Sequence, residues 1–329
     1  MRTKIDLRNS KYFLICTSYS LIITFLTNIL GYQDSEILIR PRYLAFFEGL
    51  NSYFIHNLET ESLFFTLVND ALFFIICYLL GLFLNPYTGL RLLIFISSFI
   101  TSNIILRNKN SNFFFSILFL VNPILILSLI TDIRQSFAMA IFLISFNLVN
   151  KVKRRIGFFI ASTIHTGYFL ISFFYFFSQF LIRVKSNLYN KTLIFAGSYS
   201  IFTLSFFSIA SLIPARQVGI YLESVEDYAV SGLSFVLWLF ILIMFVLKDE
   251  KDLNQNQIYI FSISIIIFYL ASYYFLPFSM RVFEACLPLI FISTNYLSKL
   301  PRQIIVLLIS MQGLYVYFFS WKESLLAIK

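Results

Sequence analysis

Residues 112–150 read NFFFSILFLVNPILILSLITDIRQSFAMAIFLISFNLVN. Two apolar runs, 112–131 and 133–150, meet with one polar knot between them, Thr131-Asp132-Ile133-Arg134-Gln135-Ser136. Each run approaches the length of about 20 residues that crosses the hydrocarbon core of a bilayer. The pair reads as a membrane hairpin whose polar knot sits at one face.

Outward from this hairpin the pattern repeats. Further apolar runs fall near 12–31, 62–84, 91–106, 156–181, 192–213, 230–247, 258–276, 282–298 and 303–320. The longest gaps, 32–61 and 214–229, are too short for a soluble domain. Over the 329 residues 59% are hydrophobic and only 12% charged, against about 25% charged in a soluble domain. Too little polar surface remains to face water. The fold class is therefore all-α: a polytopic transmembrane helical bundle with about 9–11 membrane segments, forming one integral membrane domain over 1–329. The basic N-terminus (Arg2, Lys4, Arg8, Lys11) precedes an apolar run without a small-residue cleavage site, so an uncleaved first helix is expected.

Net charge is +9. The surplus lies in short loops, as the positive-inside rule requires, and does not call for nucleic acid. The group Lys151, Lys153, Arg154, Arg155 is the densest and marks the cytoplasmic side, as does the N-terminus. Placing the other basic loops inside requires two runs that enter and leave on one side. The runs chosen are 62–84, interrupted by Asn69-Asp70, and 156–181, interrupted by His165-Thr166-Gly167. Non-helical backbone at membrane depth is tolerated where it lines a protein cavity. The first is expected to be re-entrant. The second is expected to be a V of two short helices. The alternative is that both are ordinary spans and one basic loop breaks the rule.

With that folding, the outer basic residues are Arg40, Arg42, Arg91, Arg134, Arg216, Arg281, Lys322 and Lys329. Apart from the two C-terminal lysines all are arginine. The planar guanidinium fork grips phosphate and carboxylate in a bidentate way that lysine does not, so an anionic ligand is expected at the outer face. Asp132 is placed to cap the helix that follows it. Arg134 then falls in the first turn, beside the positive end of the helix dipole, where a cation is unfavourable without an anionic partner; snorkelling to headgroups is the alternative. His165 lies inside an apolar run, where ionisable residues usually face a cavity. It reads as a base or an orienting group for a hydroxyl, or as a neutral packing residue. Residues Tyr43–Phe54 place apolar side chains on one helical face, fitting an interfacial amphipathic helix or a lid packed on the bundle. Cys16, Cys77 and Cys286 and the two histidines show no metal-ligand spacing, so neither metal nor cofactor is expected.

Arg134-Gln135-Ser-Phe-Ala-Met-Ala, followed after the basic linker by Ala161-Ser-Thr-Ile-His165, resembles the EpsG family of bacterial exopolysaccharide and O-antigen (Wzy-type) polymerases. Tyr43-x-x-Phe46 and Glu61-Ser-Leu-Phe64 are similar to that family's Tyr-x-x-Phe and Glu-Pro-x-Phe elements. The chain departs from it at Ser62, where the family has proline. It departs again at Leu38-Ile39-Arg40-Pro41, where an aspartate often stands; Glu48 is then a substitute acid.

The resemblance implies a GT-C-like glycosyltransferase scaffold in the bacterial inner membrane, with the N-terminus cytoplasmic. The implied substrates are undecaprenyl-diphosphate-linked oligosaccharide repeat units, as donor and as acceptor, joined at the periplasmic face. A chain-length regulator is an implied partner, and the polymer is an exopolysaccharide or the O-antigen of lipopolysaccharide. Arg134, Arg216 and Arg281 are expected to stabilise the leaving diphosphate, as preorganised cationic donors do. Gln135, Arg40, Arg42 and Tyr43 are expected to line the substrate site. His165, Asp132 and Glu48 are the candidates to accept or orient the acceptor hydroxyl proton. Two other readings use the same lipid-linked sugars or polysaccharides. A transporter or flippase would be expected to show repeats, and none is visible. A membrane O-acyltransferase would carry an arginine and a histidine in its first helix, and residues 12–31 contain neither.

Overall fold

The computed structural model describes residues 10–29, 43–44, 46–47, 71–108, 112–210, 232–248, 253–276 and 278–319. The protein is an all-α polytopic membrane bundle, with no strand among the described residues. In chain order the helices are α1 (Ser10–Ile29), α2 (Ala71–Gly81), α3 (Pro86–Leu106), α4 (Phe113–Leu120), α5 (Pro123–Thr131), α6 (Ile133–Asn147), α7 (Lys151–Ile164), α8 (Gly167–Arg183), α9 (Leu188–Ala210), α10 (Gly232–Val246), α11 (Gln257–Ser272), α12 (Ser279–Thr294) and α13 (Lys299–Phe319). Two compact units divide the chain: residues 1–169 with 309–329, and residues 170–308.

Helices α1 and α3 are long and apolar enough to cross a bilayer alone. On α1, Leu14, Ile22 and Ile29 are more than half exposed while Cys16, Ser20, Ile23 and Thr24 are buried. Exposed apolar surface costs about 25 cal/mol per Å² in water, and lipid removes that cost. Helix α1 packs against α3, on which Ser97, Ser98, Thr101 and Ser102 are buried. Small residues let membrane helices approach closely. The serine hydroxyls are satisfied by the preceding turn, as with Ser20 to the Cys16 carbonyl (2.7 Å) and Ser97 to the Leu93 carbonyl (2.8 Å). Arg91, read from the sequence as an outer arginine, fastens this pair. Its Nη2 donates to Asn28 Oδ1 (3.2 Å) and its guanidinium lies 5.3 Å from the Phe25 ring.

The run 112–131 is not one straight helix. It breaks at Val121-Asn122, where α4 and α5 meet at 51°. Asn122 accepts from the Ile124 amide (2.9 Å) and its Nδ2 donates to the Ile309 carbonyl of α13 (2.9 Å). Proline at the first helical position and an asparagine cap start α5 afresh. The run 156–181 breaks where its polar interruption lies, at His165-Thr166, between α7 and α8. Of the run 62–84, the stretch before residue 71, Asn69-Asp70 included, lies outside the described residues; the rest forms α2.

Asparagine has a structural role that composition conceals. Among the described residues six helices begin on it: Asn85, Asn112, Asn122, Asn150, Asn187 and Asn256 each accept a hydrogen bond from a first-turn amide. These caps satisfy donors that the start of each helix leaves orphaned.

In the second unit α11 is apolar all round, so it is buried all round: Tyr259 through Phe268 are at most 4% exposed. Helices α9, α10 and α12 pack around it. Tyr199 of α9 shares a short hydrogen bond with Ser264, and the Tyr259 hydroxyl donates to the Phe245 carbonyl of α10 (2.6 Å). Two lysines staple loops here. The Nζ of the buried Lys191 donates to the Asn254 carbonyl (2.9 Å), and that of Lys248 to the Tyr296 carbonyl (2.7 Å).

Candidate active site

The site is built where α6 begins and α7 ends, both in the first unit. Asp132 stands at the turn between α5 and α6. Its amide donates to the Ser128 carbonyl (3.1 Å) and its carbonyl accepts from Ser136 (2.8 Å). The expected side-chain cap is not made: at φ −94°, ψ 60° its carboxylate forms no capping hydrogen bond to α6. The buried Ser136 secures the turn instead, with Oγ donating to the Ser128 carbonyl at 2.6 Å. A hydroxyl one turn into α6 thus holds the bend.

Arg134 falls in the first turn of α6, as expected. It is half-buried, and its Nε is shielded from solvent. Its guanidinium carbon lies 5.8 Å from the Tyr43 ring centroid. Tyr43 is itself buried and makes edge contacts with Phe46 (6.0 Å) and with Phe73 of α2 (5.8 Å). Phe47, four residues on, rests where α2 ends and α3 begins. A side chain at Gly81 or Gly89 would run into it. The described residues of the 43–54 segment are thus packed into the unit, with Tyr43, Leu44 and Phe47 all under 10% exposed, so that part fits a packed lid better than an interfacial helix. An aromatic floor holds the guanidinium by cation–π attraction and limits its swing. Cys77 of α2 lies within electrostatic reach of the same guanidinium.

Gln135, next to Arg134, is buried. Its backbone carbonyl accepts from the Tyr168 hydroxyl (3.4 Å). The Tyr168 ring meets the His165 imidazole edge-on at 6.2 Å. Through Tyr168, the first turn of α6 is linked to the break that ends α7. Phe142 extends the link, stacking on Phe158 (4.4 Å) and touching Tyr168 (5.5 Å).

His165 is half-buried, in extended backbone at φ −145°, ψ 118°. Its amide donates to the Ala161 carbonyl (3.0 Å) and so closes α7. Its Nδ1 accepts from the Gly167 amide (3.1 Å) and so opens α8. The basic linker ahead of α7 is also structured. Asn150 caps α7, and Arg154 donates to the Leu148 carbonyl from both Nε (3.1 Å) and Nη2 (2.6 Å).

The structure therefore brings Tyr43 directly to Arg134, and ties Gln135 and His165 together through Tyr168. Arg281 belongs to the second unit, exposed on the first turn of α12 with Glu284 three residues on. Arg40, Arg42, Glu48 and Arg216 lie outside the described residues. Sequence reasoning did not single out Tyr168, Ser136 or Asn122. Asn122-Pro123 inside an apolar run was a readable signal of a fresh helix start. Tyr168 gave none, being one of 20 tyrosines.

These features define a polytopic α-helical membrane protein with a cationic site at a break between short helices. The chain belongs to the EpsG family of Wzy-like polymerases, whose model matches residues 16–326. No curated protein and no solved structure matches it.

Proposed function

We propose that this protein joins undecaprenyl-diphosphate-linked oligosaccharide repeat units by glycosyl transfer, on a GT-C-like scaffold, at the periplasmic face of the inner membrane. In the reaction the bond from the sugar C1 to the diphosphate oxygen breaks. A hydroxyl of the acceptor unit bonds to C1 and loses its proton. Polyprenyl diphosphate departs with new negative charge.

The observation that carries this reading is Arg134, a guanidinium in the first turn of α6 seated over the Tyr43 ring. Charge developing on a leaving diphosphate needs preorganised cationic donors, and these commonly supply the largest catalytic contribution. The dipole of α6 reinforces the cation there. Asp132, at the same turn, is a candidate carboxylate to take the acceptor proton. Arg216 and Arg281 are further candidates to hold the diphosphate, and Arg40, Arg42 and Gln135 to line the site. Family membership supports the polymerase class, with lipid-linked saccharides as substrates.

The test is a deletion strain complemented with Arg134→Ala and, separately, Arg134→Lys. Both are expected to abolish long-chain polysaccharide while single repeat units still reach the surface. Lysine fails because it cannot present the planar fork. Full-length polymer from the alanine variant would remove Arg134 from the mechanism. Loss of surface single units in the deletion strain would indicate a flippase.

A further inference from the structure

The start of α7 concentrates positive charge where a helix tolerates it poorly. Lys151, Lys153, Arg154 and Arg155 fall together there, and the first turn holds no acid. Cations are unfavourable at the positive end of a helix dipole, and like charges on one turn repel. The first amides of α7 are already capped by Asn150, which accepts from Val152 (2.9 Å) and Lys153 (3.2 Å). Arg154 is turned back onto the Leu148 carbonyl. Lys151, Lys153 and Arg155 are exposed. Among the described residues of the first unit the one acid is Asp132, at the opposite end of α6. A helix of 15 residues puts it about 20 Å away.

The same stretch of α7 exposes an apolar stripe. Val152, Ile156 and Phe159 share one helical face, and each is more than half exposed. Gly157, Phe158, Ala161 and Ile164 form the opposite, buried face, and α7 packs on α6 and α2. At about 100° per residue, Lys153 falls on one flank of the stripe and Lys151 and Arg155 on the other. Water suits the cations and not the stripe. Hydrocarbon suits the stripe and not the cations. A surface that carries both side by side fits the boundary between headgroups and acyl chains.

We propose that the start of α7 is a binding surface for anionic phospholipid. Lys151, Lys153 and Arg155 are drawn to the headgroups, and Val152, Ile156 and Phe159 lie against the acyl chains. An acidic protein segment would answer the cations but not the stripe, whereas an anionic lipid supplies charge and hydrocarbon in one molecule. Each basic side chain near an anionic bilayer surface is worth about fivefold in binding. The contact holds whatever reaction the protein catalyses. It also grips one end of a helix whose other end is capped by His165 in the candidate site.

The experiment places the full-length Phe159→Trp protein in phosphatidylcholine vesicles. These contain a small fraction of tail-brominated phosphatidylglycerol or, separately, of tail-brominated phosphatidylcholine. Bromine quenches a tryptophan it touches. The signal of the two native tryptophans, Trp238 and Trp321, is subtracted with the wild type. Brominated phosphatidylglycerol is expected to quench at least about fivefold more per molecule than brominated phosphatidylcholine. Adding K151Q/K153Q/R155Q is expected to bring the two lipids within about twofold of each other, with melting in phosphatidylcholine no lower than before. K151R/K153R is expected to keep the preference. Equal quenching before the charges are removed, or a preference that survives their removal, would overturn the proposal. Equal quenching with binding of a poly-glutamate peptide would assign the surface to an acidic protein instead. Salt gives a second test that needs no charge variant. The preference is expected to fall as salt screens exposed cations, and a preference indifferent to salt would overturn the electrostatic assignment.

Discussion

Gly157 sets the distance between the two helices that carry the site. On α7 it crosses Ser145 of α6. A Cβ placed on it would lie 2.7 Å from the Ser145 Cβ and closer still to its Oγ. The hydroxyl can swing aside, giving up its bond to the Ile141 carbonyl (2.7 Å), but the Cβ cannot. Carbon atoms rest at about 3.5–4.0 Å, so Gly157→Ala must part the helices by roughly 1 Å at this point. Overpacking of this kind costs about 1–3 kcal/mol. The displacement also reaches the chemistry, because Arg134 lies in the first turn of α6 and His165 caps the end of α7. A misplacement of about 1 Å can cost about 100-fold in rate. The variant is therefore expected to melt earlier in detergent and to make far less long-chain polymer than its protein level accounts for. The companion double variant S145G/G157A moves the small residue to the other helix and restores the spacing. It should recover both properties, less the glycine penalty of about 1 kcal/mol in α6. A Gly157→Ala protein with wild-type melting and wild-type polymer, or a double variant no better than the single, would refute this account of the hairpin.

Two further outcomes are expected. Tyr43→Phe keeps a ring beneath Arg134 and should polymerise close to the wild type, whereas Tyr43→Ala removes a cation–π contact worth about 0.5–2 kcal/mol and should lower polymer yield several-fold; equal yields would remove the ring from the site. Asn122→Ala loses both a helix cap and a buried hydrogen bond to Ile309, so detergent melting should report about 2 kcal/mol of lost stability. Asn122→Asp keeps the cap but lacks the donor to Ile309, and should not restore it; a fully stable aspartate variant would show that the tie to α13 contributes nothing.

Helix positions were legible because each apolar run is long and bounded by polar residues. The run 133–150 became α6, and 258–276 became α11. The break in 156–181 was legible as well, since His165-Thr166-Gly167 interrupts an otherwise apolar run with groups that must find partners. The break at Asn122 was not singled out, although Asn-Pro is a helix start wherever it occurs. The role assigned to Asp132 as a side-chain cap was local reasoning. It did not hold because Ser136, one turn later, reached back to the Ser128 carbonyl and set a backbone angle from which the carboxylate does not cap. Arg91 belonged by type to the set of outer arginines, and only packing against Asn28 and Phe25 showed its structural use.

Composition and hydropathy alone determined that the chain lives in a membrane, that it is helical, and about where its apolar segments lie. These are one-dimensional properties: hydropathy follows from side chains, and caps from neighbours two or three residues away. The motif at Arg134 and His165 was also readable along the chain. What the tertiary structure decided is which atoms do what. Tyr43 comes under Arg134, and Tyr168 reaches Gln135, only because helices distant in sequence pack side by side. The Nδ1 contact at Gly167 depends on the backbone turn between α7 and α8, which the presence of a histidine does not by itself dictate.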